Sequence, residues 1–309
     1  MNNFCEKTAL ACRALSDKGI SFEKDAPLSM RTSFKIGGNA DIAVFPETEA
    51  QLLAAVAALR GADVRFMLIG NGTNLLFSDK GYRGAVIITK KMRKISVDGN
   101  ILSVLCGDSF TEAAVAAKDA SLTGLEFAYG IPGSCGGAVC MNAGAYGGEV
   151  SGVLLDMRVL DTASGEVFTV SKADADFSYR HSVIRDFPNY AVISARFALR
   201  HGDKNEINAY MQDIMGRRRD KQPLEYPSAG SVFKRPAPDM YVGKMLEDLG
   251  LKGFTIGGAQ VSQKHAGFII NVGGATASDV LALVDHIKKA VLAAYSVELE
   301  CEICAVSEE

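Results

Sequence analysis

The pattern of hydrophobic and polar positions predicts strands and helices that alternate along the first part of the chain. Three short apolar runs rich in β-branched residues are typical of buried strands: "ADIAVF" (40–45), "VRFMLIG" (64–70) and "GAVIIT" (84–89). Between the first two, "ETEAQLLAAVAALRG" (47–61) has Glu and Thr near its start and Gly61 at its end, which predicts a helix. This strand–helix–strand order indicates an α/β fold.

The same reading continues to residue 199. It predicts a strand, a helix, a hairpin and another strand, at 101–107, 109–120, 152–170 and 190–199. Ser109 and Glu112 have the spacing of a capping box, and the hairpin should turn at Ser164-Gly165.

A polar stretch, "HGDKN", predicts a domain boundary near residue 204. The predicted first domain, 1–204, has two lobes, about 25–95 and 96–204, and 205–309 is a smaller α+β domain. Its predicted helices are 205–220, 242–249 and 277–295, and its predicted strands are about 254–262, 267–271 and 297–304. In the last strand, Glu298, Glu300 and Glu302 alternate with apolar residues, so the three carboxylates should share one face.

Composition is that of a folded globular protein, with 48% hydrophobic and 22% charged residues among 309. A net charge of −3 leaves no basic field for general nucleic-acid binding. Charges throughout the first twenty residues argue against a secretory signal. The apolar run 52–59 is far below the roughly 20 residues that span a bilayer. We therefore expect a cytoplasmic protein without membrane insertion.

In that compartment the seven cysteines should be reduced thiols. Cys301 and Cys304 form a single CxxC, but a second pair is missing. We interpret them as ordinary strand residues and expect no metal site.

Two glycine-rich stretches are candidates for close contact with a ligand. "LIGNGTNLLFSD" (68–79) follows an apolar strand directly and can aim consecutive N–H groups at a phosphate, although an ordinary loop fits it as well. "TGLEFAYGIPGSCGGAVCMNAGAYGGEVSG" (123–152) is rich in glycine, and ordering so many glycines costs backbone conformational entropy. This cost favours a segment that a ligand approaches closely, although a long mobile loop is the alternative. Neither stretch matches the Rossmann fingerprint or the P-loop. Together they suggest a cofactor with a pyrophosphate.

Two further stretches place single reactive side chains. "YPSAGSVFKRP" (226–236) sets Ser231 beside Lys234 and Arg235, and reads either as a surface turn or as a rigid holder for one hydroxyl. "FSYRHSVIRD" (177–186) contains Arg180, a residue type that is usually a solvated or structural charge.

Motifs in a fixed order across nearly the whole chain beyond residue 30 resemble the UDP-N-acetylenolpyruvoylglucosamine reductase family, in its shorter subtype. They are "RTSFKIGGNAD" (31–41), "GNGTNLL" (70–76), "GIPGSCGGAVCMNAGAYGGE" (130–149), "YRHS" (179–182), "PSAGSVFKRP" (227–236) and "LGLKGFTIGGAQVSQKHAGFIIN" (249–271). The resemblance implies the FAD-binding fold of vanillyl-alcohol-oxidase-type flavoproteins for residues 1–204. It implies a UDP-sugar substrate domain for 205–309.

The resemblance also implies the chemistry. Non-covalent FAD would be reduced by NADPH and would reduce UDP-N-acetylglucosamine enolpyruvate to UDP-N-acetylmuramate, in peptidoglycan precursor synthesis. The protein would then serve cell wall biogenesis, cell shape and cell division. Its partners would be the UDP-sugar and NADPH.

Matching motifs imply the site residues. The catalytic ones are Arg180, Ser231 and Glu302. The cofactor-binding ones are Gly70, Asn71, Gly72, Thr73, Asn74, Gly130, Gly133, Ser134, Gly136, Gly137, Asn142 and Gly144. Lys221, Lys234, Arg235, Lys252 and His265 would bind the substrate.

Some positions depart from the family pattern. Cys304 and Ser307 stand where arginine and glycine are usual, which leaves Glu298 and Glu300 open as alternatives to Glu302. Cys135 replaces the usual valine and should be tolerated as packing.

Each catalytic residue has a physical task. Hydride addition to the enolpyruvyl group builds negative charge toward the substrate carboxylate, which Arg180 and a protonated Glu302 would stabilise. Ser231 would then protonate the carbanion, helped by Lys221, Lys234 or Arg235.

Two other functions remain open on the sequence. One is an FAD-dependent oxidase of small alcohols or hydroxy acids, although all four histidines lie at 181 or later, and a histidine in the N-terminal half would be needed for covalent flavin. The other is a non-catalytic regulator that binds a UDP-sugar or nucleotide, which would purify colourless.

Overall fold

The computed structural model describes residues 2–308, with side chains from residue 6 onward. The helices are α1 (Asn2–Asp17), α2 (Glu49–Gly61), α3 (Phe110–Asp119), α4 (Cys135–Cys140), α5 (Val150–Val153), α6 (Lys204–Lys221), α7 (Val242–Asp248) and α8 (Ala277–Tyr295). The strands of the first half are β1 (Ser21–Pro27), β2 (Asn39–Phe45), β3 (Phe66–Ile69), β4 (Leu75–Phe77), β5 (Tyr82–Ile88), β6 (Ser96–Asp98), β7 (Ile101–Leu105), β8 (Leu122–Thr123), β9 (Gly144–Ala145) and β10 (Gly148–Glu149). The later strands are β11 (Leu154–Asp161), β12 (Val167–Ser171), β13 (Tyr190–Ala198), β14 (Arg200–His201), β15 (Ser228–Ser231), β16 (Thr255–Ile256), β17 (Ala259–Val261), β18 (Phe268–Asn271) and β19 (Cys304–Val306).

The chain forms two compact units, and each of them is assembled from three separate segments of the sequence. The first contains residues 1–24, 42–71 and 84–217, and the second contains 25–41, 72–83 and 218–309. The boundary expected near residue 204 takes no account of the two early segments that pack with the C-terminal part. The passage from the first unit to the second at 71/72 falls inside the first glycine-rich loop.

The first unit has two hydrophobic cores. One lies around α2 and the sheet β1-β2-β5-β3, in which β3 and β5 are parallel, and it buries Leu52, Leu59 and Ile87. The other lies around α3 and the antiparallel sheet β12-β11-β13-β7-β6. There the rings of Phe110 and Phe127 meet edge to face at 5.8 Å. The lobes expected at about 25–95 and 96–204 do not coincide with these cores, because residues 25–41 and 72–83 belong to the second unit and the first core also takes in Ala11 and Leu15 of α1.

The second unit packs α7 and α8 on the sheet β15-β18-β17-β16. Its core includes Phe34 and Leu76 from the early segments, together with Val280 and Ile287 of α8. The Asn271 amide donates to the Phe34 carbonyl at 3.2 Å, which ties an early segment to β18.

Most predicted elements are confirmed, with three corrections. The single strand predicted at about 254–262 is instead a hairpin of β16 and β17, which turns at Gly257-Gly258. Ser109 caps α3 by accepting from the Glu112 N–H, but the Glu112 carboxylate pairs with Arg93 instead of completing the capping box. The strand predicted at 297–304 is wrong as a ladder: β19 begins only at Cys304, after an isolated bridge from Cys301 to Phe233. Within the described residues, no helix combines the length and apolar character needed to cross a bilayer.

Candidate active site

The first glycine-rich loop presents backbone donors. Among the described residues, the N–H groups of Gly70, Asn71, Gly72 and Thr73 have no acceptor in the protein. Gly72 has φ +62°, and an added Cβ would lie 2.4 Å from the Arg31 carbonyl oxygen, so only glycine fits there. Successive free N–H groups in such a turn form a concave anion-binding surface.

The second glycine-rich loop works differently, because the donors at the start of α4 are already used. The N–H groups of Cys135 and Gly136 donate to Asp108 and Cys106 carbonyls at 2.8 and 2.9 Å. The Gly137 N–H donates to the Ser134 hydroxyl, which caps the helix, at 3.3 Å. This loop can therefore offer a ligand close approach rather than free N–H groups of the helix start.

The two glycines of α4 differ in what surrounds them. A Cβ on Gly136 would lie 2.8 Å from Cys106 Cβ, so Gly136 is required by the protein's own packing. A Cβ on Gly137 would have the Ser134 hydroxyl, at 3.4 Å, as its nearest neighbour. The space beside Gly137 is therefore available to a ligand.

Within the first unit the two loops touch. A Cβ on Gly70 would overlap the Ser134 hydroxyl at 2.0 Å, and the Asn71 amide donates to the Pro132 carbonyl at 3.1 Å. The Asn71 Oδ1 atom is buried and accepts no hydrogen bond from the described residues. A buried acceptor without a partner, free N–H groups and an open glycine together fit a pyrophosphate-containing cofactor.

A cavity of about 640 Å³ runs beside β3, the strand that leads into the first loop. β3 is the edge strand of its sheet. The Arg65 carbonyl accepts from the Ala85 N–H of β5, and backbone groups alternate in direction along a strand. The peptide groups of Phe66 and Leu68 therefore point away from β5. The cavity is lined by Arg60, Arg65, Phe66, Leu68, Thr162 and Tyr190, among others. Its volume is that of a typical small-molecule site.

The remaining sequence-predicted cofactor residues are engaged within the protein. The Gly130 N–H donates to Thr111 at 3.1 Å, and the Gly133 carbonyl accepts from Phe110 at 3.0 Å. Gly144 lies too close to Glu149 for any Cβ.

Asn142 is fully buried, and both ends of its amide are used. Its nitrogen donates to the Ser178 carbonyl at 3.0 Å, and its oxygen accepts from the Ser151 N–H at 2.9 Å. It therefore supports the turn that carries Arg180.

Arg180 lies at the tip of a two-residue turn. Ser178 and His181 exchange both backbone hydrogen bonds, at 3.1 and 3.3 Å, and Arg180 between them has φ +57°. Its guanidinium lies over the Tyr179 ring at 5.2 Å, with one nitrogen 3.4 Å from the Gly144 carbonyl. The turn thus holds a half-buried cation, in the first unit.

Ser231 ends a strand rather than sitting in a surface turn. β15 pairs with β18, with Ser231 opposite Phe268 and a register shift between Ser228 and Ser231. Gly230, inside the shift, has φ +80°, which a bulge of this kind requires. The surface-turn interpretation is therefore wrong, and the bulge is what sets the direction of the half-buried Ser231.

Glu302 lies beside this strand within the second unit. Its N–H donates to the Val232 carbonyl at 2.7 Å, next to Ser231. The Asn74 amide donates to the Glu302 carbonyl at 3.1 Å, so Asn74 holds this segment in place. Glu298 and Glu300 are exposed, whereas Glu302 is half-buried. This contrast favours Glu302 among the three carboxylates.

The predicted substrate-binding cations all lie at or beyond residue 218, in the second unit. Lys234 is ion-paired with Glu300, and Lys252 with Glu247 at 2.8 Å. Arg235 lies over the Tyr241 ring at 5.0 Å. To bind a ligand anion, Lys234 and Lys252 must therefore give up their ion pairs with Glu300 and Glu247.

His265 combines with two of these lysines. Burial lowers the pKa of its ring, and the charges of Lys252 and Lys221 lower it further. Its Nδ1 accepts from the Gly267 N–H at 3.1 Å, so the neutral ring carries its proton on Nε2. His265 is therefore a neutral donor beside two cations.

Two contributions were missed by the sequence reasoning. The Ser33 N–H donates to the Gly72 carbonyl at 3.2 Å, so "RTSFKIGG" supports the first loop. The supporting role of Asn74 was also missed, because its Asn-Leu-Leu context before a strand gives no signal for a bond to a distant carbonyl.

Comparisons with known proteins agree with this arrangement. Residues 40–171 match the family model of an FAD binding domain, and residues 222–306 match the C-terminal domain of UDP-N-acetylenolpyruvoylglucosamine reductase. The reductase of that name from Pediococcus pentosaceus is 48% identical over 92% of this chain and 93% of its own. That of Caldanaerobacter subterraneus subsp. tengcongensis is 46% identical over the same shares. The crystal structure of the Thermus caldophilus reductase, 31% identical, covers 93% of this chain and 98% of its own with a TM-score of 0.79.

Proposed function

The chain belongs to the UDP-N-acetylenolpyruvoylglucosamine reductase family, and from this we propose which of its residues perform each step. It is an FAD-dependent oxidoreductase that uses NADPH to reduce UDP-N-acetylglucosamine enolpyruvate to UDP-N-acetylmuramate for peptidoglycan synthesis. Its FAD-binding domain precedes the reductase C-terminal domain, as the sequence resemblance implied.

The cofactor would be held by the first glycine-rich loop and by the open face at Gly137. The free N–H groups of Gly70–Thr73 suit its pyrophosphate, and the Asn71 Oδ1 atom lacks a donor that a ligand can supply. We place its adenosine end in the cavity beside β3, because that strand continues directly into the loop. Leu68→Trp should then weaken FAD binding in a titration of the apoprotein, with the melting temperature as the check that the variant, changed at a half-buried position, still folds.

When bound, FAD carries the hydride from NADPH to the enolpyruvyl group. Arg180 would neutralise the substrate carboxylate as charge develops on it, through its fixed planar fork. Glu302, protonated, would donate to the same carboxylate. Ser231 would give its hydroxyl proton to the carbon that bears the developing charge.

The assignment of Ser231 and Glu302 rests on one observation: the backbone segments that carry them are hydrogen-bonded neighbours. The Glu302 N–H bonds to the Val232 carbonyl, so an acid and a hydroxyl come from neighbouring extended segments of the second unit. The bulge at Gly230 fixes the Ser231 side of this pair.

Residues 1–204 would serve the cofactor, and 205–309 the UDP-sugar. Lys221, Lys252 and the neutral His265 would bind the diphosphate, with Lys234 and Arg235 beside Ser231. We propose the cytoplasm as the place of reaction, since it supplies both NADPH and UDP-sugars.

The test separates the two half-reactions by stopped flow. Ser231→Ala should leave flavin reduction by NADPH near normal, because that step takes no proton from this hydroxyl. Reoxidation of the reduced flavin by the enol ether should slow by about 10²- to 10⁴-fold. Ser231→Cys should recover part of that rate, because a thiol is the stronger acid.

Ser228→Ala is the matched control, a serine of the same strand whose carbonyl is bonded to Ser33. Unchanged flavin reoxidation in Ser231→Ala, or an equal loss in Ser228→Ala, would remove Ser231 from the role of proton donor.

A further inference from the structure

The turn that presents Arg180 is held from outside by charged side chains. Arg180 occupies a left-handed conformation that is strained for a non-glycine residue, so its surroundings must fix it. The Arg185 guanidinium donates to the Arg180 carbonyl at 2.9 Å. Asn142 donates to the carbonyl of Ser178, at the start of the turn.

His181, directly after Arg180, bonds through both ring nitrogens. Nδ1 lies 3.1 Å from the Asp176 carbonyl oxygen, and Nε2 lies 2.9 Å from an Asp186 carboxylate oxygen. Both partners only accept hydrogen bonds when Asp186 is ionised. The imidazolium donates to both, whereas either neutral tautomer loses one of the two bonds.

His181 is the one contact among these whose charge changes near neutral pH, since Arg185 stays protonated and Asn142 does not titrate. The charged groups nearest the ring are the carboxylates of Asp186 and Asp176, whose oxygens lie within 4.8 Å of it. The guanidiniums of Arg180 and Arg185 instead contact the carbonyls of Gly144 and Arg180. The hydrogen bond to Asp186 raises the pKa of His181, followed by the bond to the Asp176 carbonyl.

We propose that His181, as an imidazolium, is a positioning residue that fixes the turn presenting Arg180, and that its deprotonation slows reduction of the enolpyruvyl ether. The inference rests on the proposed role of Arg180. It deepens that role by making the position of the guanidinium depend on pH.

The sign follows from the protonated form. Since the raised pKa keeps His181 cationic to higher pH, the turn is fixed at low pH and loosens as pH rises through that pKa. The rate of flavin reoxidation by the enol ether should therefore fall over this range. We call this fall of the rate at high pH the alkaline limb. The rate of flavin reduction by NADPH should lack it, because that step does not use Arg180.

Asp186→Asn is the sharpest variant, since it changes an exposed residue and removes the anion that holds the proton on His181. The alkaline limb of the reoxidation rate should move to lower pH. The His181 ring, followed directly by NMR, should show its titration moved by the same amount.

His181→Ala should remove the limb and lower the rate at acidic pH by about 10- to 100-fold, as expected for a group displaced by about 1 Å. His201→Ala, at an exposed histidine of β14, is the matched control and should leave the profile unchanged. Flavin content and melting temperature identify a variant that fails to fold. Should His181→Ala do so, Asp186→Asn still decides.

The outcomes separate the two ideas. If Arg180→Ala does not slow flavin reoxidation, the proposed role of Arg180 is wrong and the inference falls with it. If Arg180→Ala is slow but the limb stays in place in Asp186→Asn, or survives in His181→Ala, then the inference alone is wrong.

Discussion

The substitution Gly137→Ala tests the placement of the cofactor, because the protein itself has room for the added methyl group. Gly137 is the third residue of α4, and the nearest atom to its Cβ would be the Ser134 hydroxyl at 3.4 Å, an ordinary contact. Alanine is favoured over glycine in helices by up to about 1 kcal/mol. The apoprotein should therefore be as stable as the wild type or slightly more so.

The holoprotein should respond in the opposite direction. If FAD lies against this face, the methyl group occupies space that the cofactor needs, and overpacking of this kind costs about 1 to 3 kcal/mol. At about 1.4 kcal/mol per factor of ten, this is a loss of about 5- to 150-fold in affinity. Gly137→Val, with two more methyl groups, should lose the bound flavin altogether.

The measurement is a titration of apoprotein with FAD, combined with melting curves with and without the cofactor. Gly216→Ala in α6 is the matched control, because a Cβ there meets nothing within 4 Å and the substitution is likewise glycine to alanine in a helix. Gly136→Ala should instead destabilise the apoprotein, since its Cβ would lie 2.8 Å from that of Cys106. Full FAD affinity in both Gly137 variants would refute the placement.

Three further outcomes follow from the second unit. Glu302→Gln should lower the rate of flavin reoxidation by about 10²- to 10³-fold in stopped flow while flavin reduction stays normal, and a wild-type rate would move the acid to another carboxylate. Glu300→Gln should keep turnover but bind the UDP-sugar up to about fivefold more tightly in calorimetry, because an exposed ion pair that occupies Lys234 is worth about 1 kcal/mol or less. Asp279→Asn should lower the melting temperature at neutral pH and much less at acidic pH. Hydrogen bonds from the N–H groups of Thr276 and Gly258 lower the pKa of Asp279. Its contribution to folding stability is therefore present above the pKa of the unfolded state and is lost as pH falls through the folded pKa. An equal change in melting temperature at both pH values would contradict this.

The helices α2, α3, α6, α7 and α8 were predictable because their signals are local, whereas α1, α4 and α5 were not predicted. α8 spans the predicted residues, and it begins with the capping box of Thr276 and Asp279. Local chemistry of this kind needs no knowledge of partners.

The last strand shows where local signals stop. The alternation of burial is as predicted, with Leu299 and Ile303 buried and Glu298 and Glu300 exposed. A ladder also needs a partner strand, and the sequence does not say that β19 finds β4 only from Cys304 onward. Side-chain alternation therefore gave the correct face but not the hydrogen bonding.

The candidate site divides in a similar way. The glycine-rich loops were recognisable by composition, but composition treats their glycines alike. Gly136 and Gly144 are needed by the protein's own packing, while the space beside Gly137 is open. Only the neighbours of each Cβ make that distinction, and for Gly136 that neighbour is Cys106, which lies outside α4 and directly follows β7 in the chain.

The division of the second unit along the chain has a consequence for how the protein is made. Its core needs Phe34 and Leu76 as well as α8, and the bond from Asn271 to Phe34 spans 237 positions. During synthesis, residues 25–41 and 72–83 must therefore wait, without their own core, until the last third of the chain leaves the ribosome. A fragment that starts at residue 218 should aggregate when expressed alone, and chaperones that shield apolar segments should raise the yield of the full chain.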